Sequence, residues 1–302
     1  MRNVLLHFRG ALCRLVATST MAVLFALAPQ LGAGQDRGRL ERPVMMDSNG
    51  PGSELFVLDA SGGLHEFRVG QDGLQEYAKV ALPEELTPAD MAFAASGGQD
   101  SVLIAGTAAS LGVVMRVSLD GKSLRTWNFR NICSGIDFSS KTQSAYVATS
   151  YSDEIYRLDM NGAEATFLTR IEHATKLGPV AFDEARQELY VADVASGRIY
   201  QYSIVTKTSK VLVGDLSAPT ALAFDPEESR LFVADPGRGG VFTVDTRASR
   251  PVVTEFAANS LKSPYGMTLI SNSRVAVADY GANSAVVFSI KGDLLFRFPP
   301  LN

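Results

Sequence analysis

Cysteine, histidine and tryptophan are scarce in this chain, with two, three and one among 302 residues. Cys13 and His7 fall in an N-terminal segment that reads as a leader, so the body keeps Cys133, His65 and His173. One cysteine excludes an intrachain disulfide even in an oxidising compartment. Without a histidine pair, a Cys/His zinc site and a Ser-His-Asp mechanism have little to be built from. Long helical patterns are absent, as are low-complexity linkers and any sign of a second domain. Basic clusters are missing too: Lys and Arg are spread evenly in an acidic chain of net charge −4, which argues against a nucleic-acid or anionic-membrane partner.

No Asp or Glu precedes Asp36. Arg2, Arg9 and Arg14 lead into the apolar run from Leu15 to Ala28, and Leu31-Gly32-Ala33 supplies small residues before Gly34. That order predicts a secretory signal peptide over residues 1–33, a short lead-in over 34–40, and a secreted or periplasmic mature chain. The apolar run is short of the roughly 20 residues that span a bilayer, so no stable membrane insertion is expected after the leader is removed. Losing three arginines and no acid takes the net charge from −4 to −7.

What the chain has in abundance is repetition. A strand-like phrase returns as Leu55-Phe56-Val57-Leu58-Asp59, Val102 to Gly106, Ala145 to Thr149, Leu189-Tyr190-Val191-Ala192-Asp193, Leu231 to Asp235 and Val275 to Asp279. Its last residues lie 47, 43, 44, 42 and 44 positions apart. Several short strands per unit at this period predict an all-β, six-bladed β-propeller with four antiparallel strands per blade over residues 41–300. The innermost strands are expected near 43–47, 90–94, 135–139, 179–183, 221–225 and 266–270. Small residues alternate with large ones there, as at Pro179-Val180-Ala181-Phe182-Asp183, which suits the crowded axis. The recurring phrase is the second strand, apolar throughout because both sheet faces are covered. The third is Ile199-Tyr200-Gln201-Tyr202 and its equivalents, followed by turns such as Asp120-Gly121 and Asn161-Gly162. The fourth is irregular, with Lys207, Lys210, Arg247 and Arg250 placed to discourage edge pairing. Ring closure is expected to rest on packing between blades 1 and 6, with residues 34–40 as a possible extra outer strand.

The run from Gly178 to Ile204 resembles the NHL repeat, and the whole mature chain is similar to the senescence-marker-protein/gluconolactonase-like propellers that share this blade grammar. In the lactonases the resemblance implies a divalent metal at the channel mouth, held by Glu, Asn and Asp just before the innermost strands, which would polarise a lactone carbonyl. The corresponding positions here are Arg42, Ala89, Ser134, Gly178, Thr220 and Tyr265, none of them a carboxylate or Asn. No metal or other cofactor is therefore expected, and the reading leans away from an enzyme.

The repeated Asp59, Asp193, Asp235 and Asp279 end the second strand beside a turn, where an Asp accepts backbone N–H bonds. His65 takes a column filled elsewhere by Tyr156, Tyr200 and Phe242 and is expected in the core; His173 falls in a loop. Trp127 is expected to pack against the neighbouring blade and Cys133 to be a buried, inert thiol. Asp137 stands out, because its equivalents are read as Ala92, Ala181, Ala223, Thr268 and Met45, all uncharged. A charge on an innermost strand must be paired, hydrated or bound. Arg42, Asp90, Ser134, Asp137, Thr220 and Tyr265, with Lys176 and Lys262 nearby, are the candidate ligand-binding set. Loops entering the innermost strands put this set at one channel mouth. The expected role is a binding module for a small polar or anionic ligand or a protein partner. A metal-dependent lactone hydrolase is the alternative, and a structural or assembly propeller the third reading.

Overall fold

The computed structural model describes residues 40–50, 54–162, 164–257 and 260–299. The expected signal peptide over residues 1–33 and residues 34–39 lie outside them. Six four-stranded antiparallel sheets follow one another along the chain, each with its strands in sequence order. Blade 4 shows the unit: Leu177–Asp183 innermost, then Glu188–Asp193, Arg198–Ser203 and Thr208–Val213. The other innermost strands are Pro43–Ser48, Leu86–Ser96, Cys133–Ser139, Ala221–Asp225 and Pro264–Ile270. Two short 3-10 turns, Ser271–Ser273 and Tyr280–Ala282, are the only helical segments among the described residues. The expected six blades and their phase are what the chain forms.

Several innermost strands begin with an irregular step. A register shift separates Leu177 from Val180, Pro43 from Met45, and Pro264 from Met267, so these strand entrances are bulged, whereas Ala221–Asp225 pairs without a shift. Blade 2 departs most from expectation, its innermost strand running from Leu86 to Ser96. The cause lies in the hairpin: Gly97 and Gly98 both take positive φ, which closes a tight two-residue turn and lets the pairing continue to Ser96↔Gln99.

The core consists of six apolar clusters, one at each seam between neighbouring blades. A recurring contact sets the spacing. Phe93 stacks on Phe56, Phe182 on Tyr146 and Phe224 on Tyr190, at 5.1, 4.5 and 5.2 Å between centroids. Such pairs contribute about 0.5–1.5 kcal/mol beyond the area they bury. The small residues on the alternate face of the innermost strand leave room for these rings. Trp127 is buried at the seam of blades 2 and 3, and Cys133 beside it.

Blade 6 takes all four strands from residues 264–298, so no strand from the other terminus is needed within the described residues. The ring closes by packing of Met46, Leu55 and Val57 against Ile270, Ala276 and Val287, with Leu40 buried in the same cluster. Ser48 Oγ donates to Leu269 O at 2.7 Å and Arg42 N to Asn283 Oδ1 at 3.1 Å across that seam.

Candidate functional site

The blades enclose a channel with a cavity of about 890 Å³, lined by every innermost strand from the strand-entry mouth at Tyr265 and Lys176 down to Gly50 and Ser140. Asp90, Ser134, Asp137, Thr220 and Tyr265 all line it, whereas Arg42 and Lys262 do not. Arg42 precedes the bulged entrance, with φ of 55°. Its guanidinium turns outward over the Tyr280 ring, 5.6 Å from the centroid, in a separate recess shared with Ala60, Ser61 and Asn283. Of the six positions aligned before the innermost strands, Ala89, Ser134, Gly178, Thr220 and Tyr265 line the channel and Arg42 of blade 1 does not.

The hydroxyls in the candidate set are committed to the scaffold. Ser134 Oγ donates to Leu177 O at 2.8 Å, and Thr220 Oγ1 to Tyr265 O at 2.8 Å. Each ties one innermost strand to the next. Tyr265 is 41% exposed at the mouth and leans on Tyr280, 5.5 Å between centroids. Lys176 Nζ sits 5.3 Å from the centroid of Tyr151, itself 72% exposed. At the rim Tyr151 thus has a cation against it, whereas Arg42, the cation against Tyr280, belongs to the separate recess.

The innermost strands bring three acids to the channel wall rather than two. Asp47, not Met45, occupies the column of Asp137: Asp47 pairs with Phe56 as Asp137 does with Tyr146, Ala181 with Tyr190 and Ala223 with Phe232. The reading that every equivalent of Asp137 is uncharged is corrected by this register. In sequence the signal is a nine-residue interval shared by four blades, from 47 to 56, 137 to 146, 181 to 190 and 223 to 232. Aligning from Pro43 hid it, because the bulge at the strand entrance breaks the count.

The three carboxylates repeat one geometry. Each takes the N–H of its own next residue on Oδ1, namely Ser48, Met91 and Phe138 at 2.8, 2.9 and 2.7 Å. Each takes on Oδ2 an N–H from the next blade: Phe93 for Asp47 at 2.6 Å, Ile136 for Asp90 at 2.9 Å, Phe182 for Asp137 at 2.7 Å. Asp47 Oδ1 also accepts from Thr268 Oγ1 at 2.8 Å. These N–H groups point into the channel from strand edges that no further strand covers, so the side chains satisfy donors the sheet leaves over. Loss from bulk water raises all three carboxyls. Asp90 is pushed up to about 7, with the charge of Asp47 adding to burial against two N–H bonds. Asp137 is pushed up to about 8, by burial first and then by the charges of Asp47 and Asp90. The opposite wall, from blades 4 to 6, presents Val180, Leu222, Ala223, Phe224 and Leu269.

The repeated second-strand aspartates serve the turns. Asp193 accepts from Thr175 N, Lys176 N and Ala195 N, Asp235 from Ser217 N and Ala218 N, and Asp279 from Lys262 N and Ser263 N. Asp59 differs, because Oδ2 meets His65 Nε2 at 2.8 Å while His65 Nδ1 meets Glu76 Oε1 at 2.7 Å. His65 is buried as expected, but as the centre of an ion-pair group rather than as apolar packing.

The residues present do not fit a divalent cation of the lactonase kind. The Ser134 and Thr220 hydroxyls are donating to carbonyls, and all six carboxylate oxygens of Asp47, Asp90 and Asp137 already accept hydrogen bonds. Among the described residues, no three His, Cys, Asp or Glu side chains come together as a metal-holding group.

No protein-family model matches the sequence, and no curated protein is similar to it. Solved structures are similar in shape. A chain of a nidogen/laminin complex superposes with a TM-score of 0.65 at 18% identity, over 79% of this chain and 90% of that one. A structural-genomics protein of unknown function from Bacteroides thetaiotaomicron VPI-5482 gives 0.63 at 11% identity, over 86% of this chain and 69% of that one. At such identities the likeness is one of fold, and the fold is a β-propeller.

Proposed function

We propose that this chain is an exported propeller binding module whose channel mouth receives a small polar ligand that is cationic or rich in hydrogen-bond donors. The observation behind this reading is the two-sided channel, with Asp47, Asp90 and Asp137 on one wall and a wall opposite that is mainly apolar but carries Lys176, Thr220, Tyr265 and Thr268, in a cavity of about 890 Å³. That volume suits a small molecule, and a few placed polar groups on an otherwise apolar lining are what orient one. An anionic ligand fits less well, because Lys176 is the single basic residue among those lining the cavity. On blade grammar we group the chain with NHL and gluconolactonase-like propellers, as a binder rather than a lactonase.

Thermal unfolding against a panel of primary amines, polyols and carboxylates tests this. Amines or polyols should raise the melting temperature, and Asp90→Asn with Asp137→Asn should abolish the amine shift. A shift confined to carboxylates, or an amine shift that survives both substitutions, overturns the reading.

A further inference from the structure

The three channel aspartates form a chain of links. Asp47 joins blade 1 to blade 2, Asp90 blade 2 to blade 3, and Asp137 blade 3 to blade 4, each through an Oδ2 that accepts the next blade's N–H. Thr268 extends the chain back to blade 6 through Asp47 Oδ1. Blades 4 and 5 hold Ala181 and Ala223 in the same column, so the links occupy one side of the ring. We propose that Asp47, Asp90 and Asp137 share protons at neutral pH and make closure of the propeller pH-dependent, tighter in mildly acidic than in alkaline solution.

Their surroundings decide the sign. The charged residues lining the cavity are Asp47, Asp59, Asp90, Asp137 and Lys176. Asp59 is already engaged by His65, Ser61 and Gly63, and Lys176 stands at the rim over Tyr151. Tyr146, across the strand pair from Asp137, is raised by burial and stays neutral. No cation among the described residues separates the three carboxyls. Fully ionised, they repel one another in a partly desolvated wall.

The hydrogen bonds indicate where the protons sit. Asp47 accepts three donors and is best able to keep its charge; Asp90 and Asp137 accept two each. A proton on Oδ1 of Asp90 or Asp137 takes the charge assistance from both bonds and weakens most the one from the residue's own next N–H. Oδ2 remains a carbonyl acceptor, so the inter-blade bond survives while the repulsion is relieved. Both groups titrate higher in the fold than the ordinary value near 3.8. The folded state therefore holds more protons than the unfolded chain across the interval from about 4 to 8. The contribution of these two groups to stability is fully present below that interval and is lost as pH rises through it.

Thermal unfolding of the ligand-free protein at pH 5 to 9 reads this directly. A fall of roughly 5 °C or more between pH 5 and 8.5 is expected for the native sequence, on the usual few degrees per kcal/mol for a domain of this size. Asp90→Asn and Asp137→Asn should each flatten the slope. Carboxyl carbon-13 titration of the native protein is the companion measurement and needs no variant to fold. It should show at least one aspartate titrating above pH 6, and hydrogen exchange at the Phe93, Ile136 and Phe182 amides should quicken once that carboxyl is ionised. All aspartates titrating below pH 5, or Asn variants that keep the native slope, would overturn the proposal. The ligand reading stands or falls on the amine panel, independently of this result.

Discussion

Replacing His65 with Leu removes the centre of a buried His–carboxylate group that ties three strands of blade 1 together. The ring is 1% exposed, Asp59 0% and Glu76 7%, and both ring nitrogens face carboxylate oxygens at 2.8 and 2.7 Å. An ionised carboxylate only accepts, so the ring satisfies both partners only with a proton on each nitrogen. Leucine keeps the volume and leaves two carboxylates without that donor. Asp59 retains Ser61 N, Ser61 Oγ and Gly63 N at 3.0, 2.6 and 2.9 Å, and Lys79 Nζ stands 3.9 Å away at 41% exposure, which softens the loss. Breaking a buried pair from one side costs about 3–5 kcal/mol, a large part of the 5–15 kcal/mol typical of a domain. We therefore expect His65→Leu to lower the melting temperature by roughly 10 °C at pH 7, with urea unfolding giving a loss near 3 kcal/mol. His65→Gln, which restores one donor, should fall between. Burial alone would raise the Asp59 carboxyl, but hydrogen bonds from His65, Ser61 and Gly63 outweigh it and hold the group well below the usual range. The contribution of Asp59 is thus present above its ordinary value near 4 and is lost as pH falls through the folded value, so the gap between variant and native should narrow in strong acid. A His65→Leu protein within about 0.5 kcal/mol of the native one would refute this reasoning and return His65 to plain packing.

Two further outcomes follow from packing. Cys133 is fully buried and burial pushes its thiol up, so a thiol reagent at pH 8 should label it only after denaturation; rapid labelling of the folded chain would contradict its placement. A Cβ added at Gly135 would press on the Gly178 carbonyl, 2.9 Å from its carbon and 3.0 Å from Pro179 Cα, across the seam of blades 3 and 4. Gly135→Ala should cost about 1–3 kcal/mol, whereas Gly73→Ala, which meets nothing within 4 Å, should be near neutral in the same urea titration.

Much of this architecture is written in local sequence. The second strands read as apolar phrases because both their faces are covered, and their spacing counts the blades without any long-range information. The innermost strands are harder to register, since bulged entrances break the count that Pro43 suggests, and so Met45 reads as the equivalent of Asp137 where the pairing puts Asp47. Arg42 fell off the channel wall for the same reason. Asp137 was legible as a lone charge in a small-residue column, yet its role depends on Phe182 N, which arrives from another blade. Ser134 and Thr220 looked like ligand groups because a sequence shows a hydroxyl but not the carbonyl it is spending its proton on. The His65 group was hidden because Asp59, His65 and Glu76 come from three different strands or turns of blade 1.

The claim that ligands enter the channel is tested most directly by hydrogen–deuterium exchange of the whole chain with and without the amine or polyol that gives the largest thermal shift. The account predicts protection concentrated in the channel-lining segments 86–91, 133–138, 174–180 and 264–269. Protection confined to outer strands such as Leu74–Ala81 and Leu294–Phe298, with the channel segments unchanged, would contradict it.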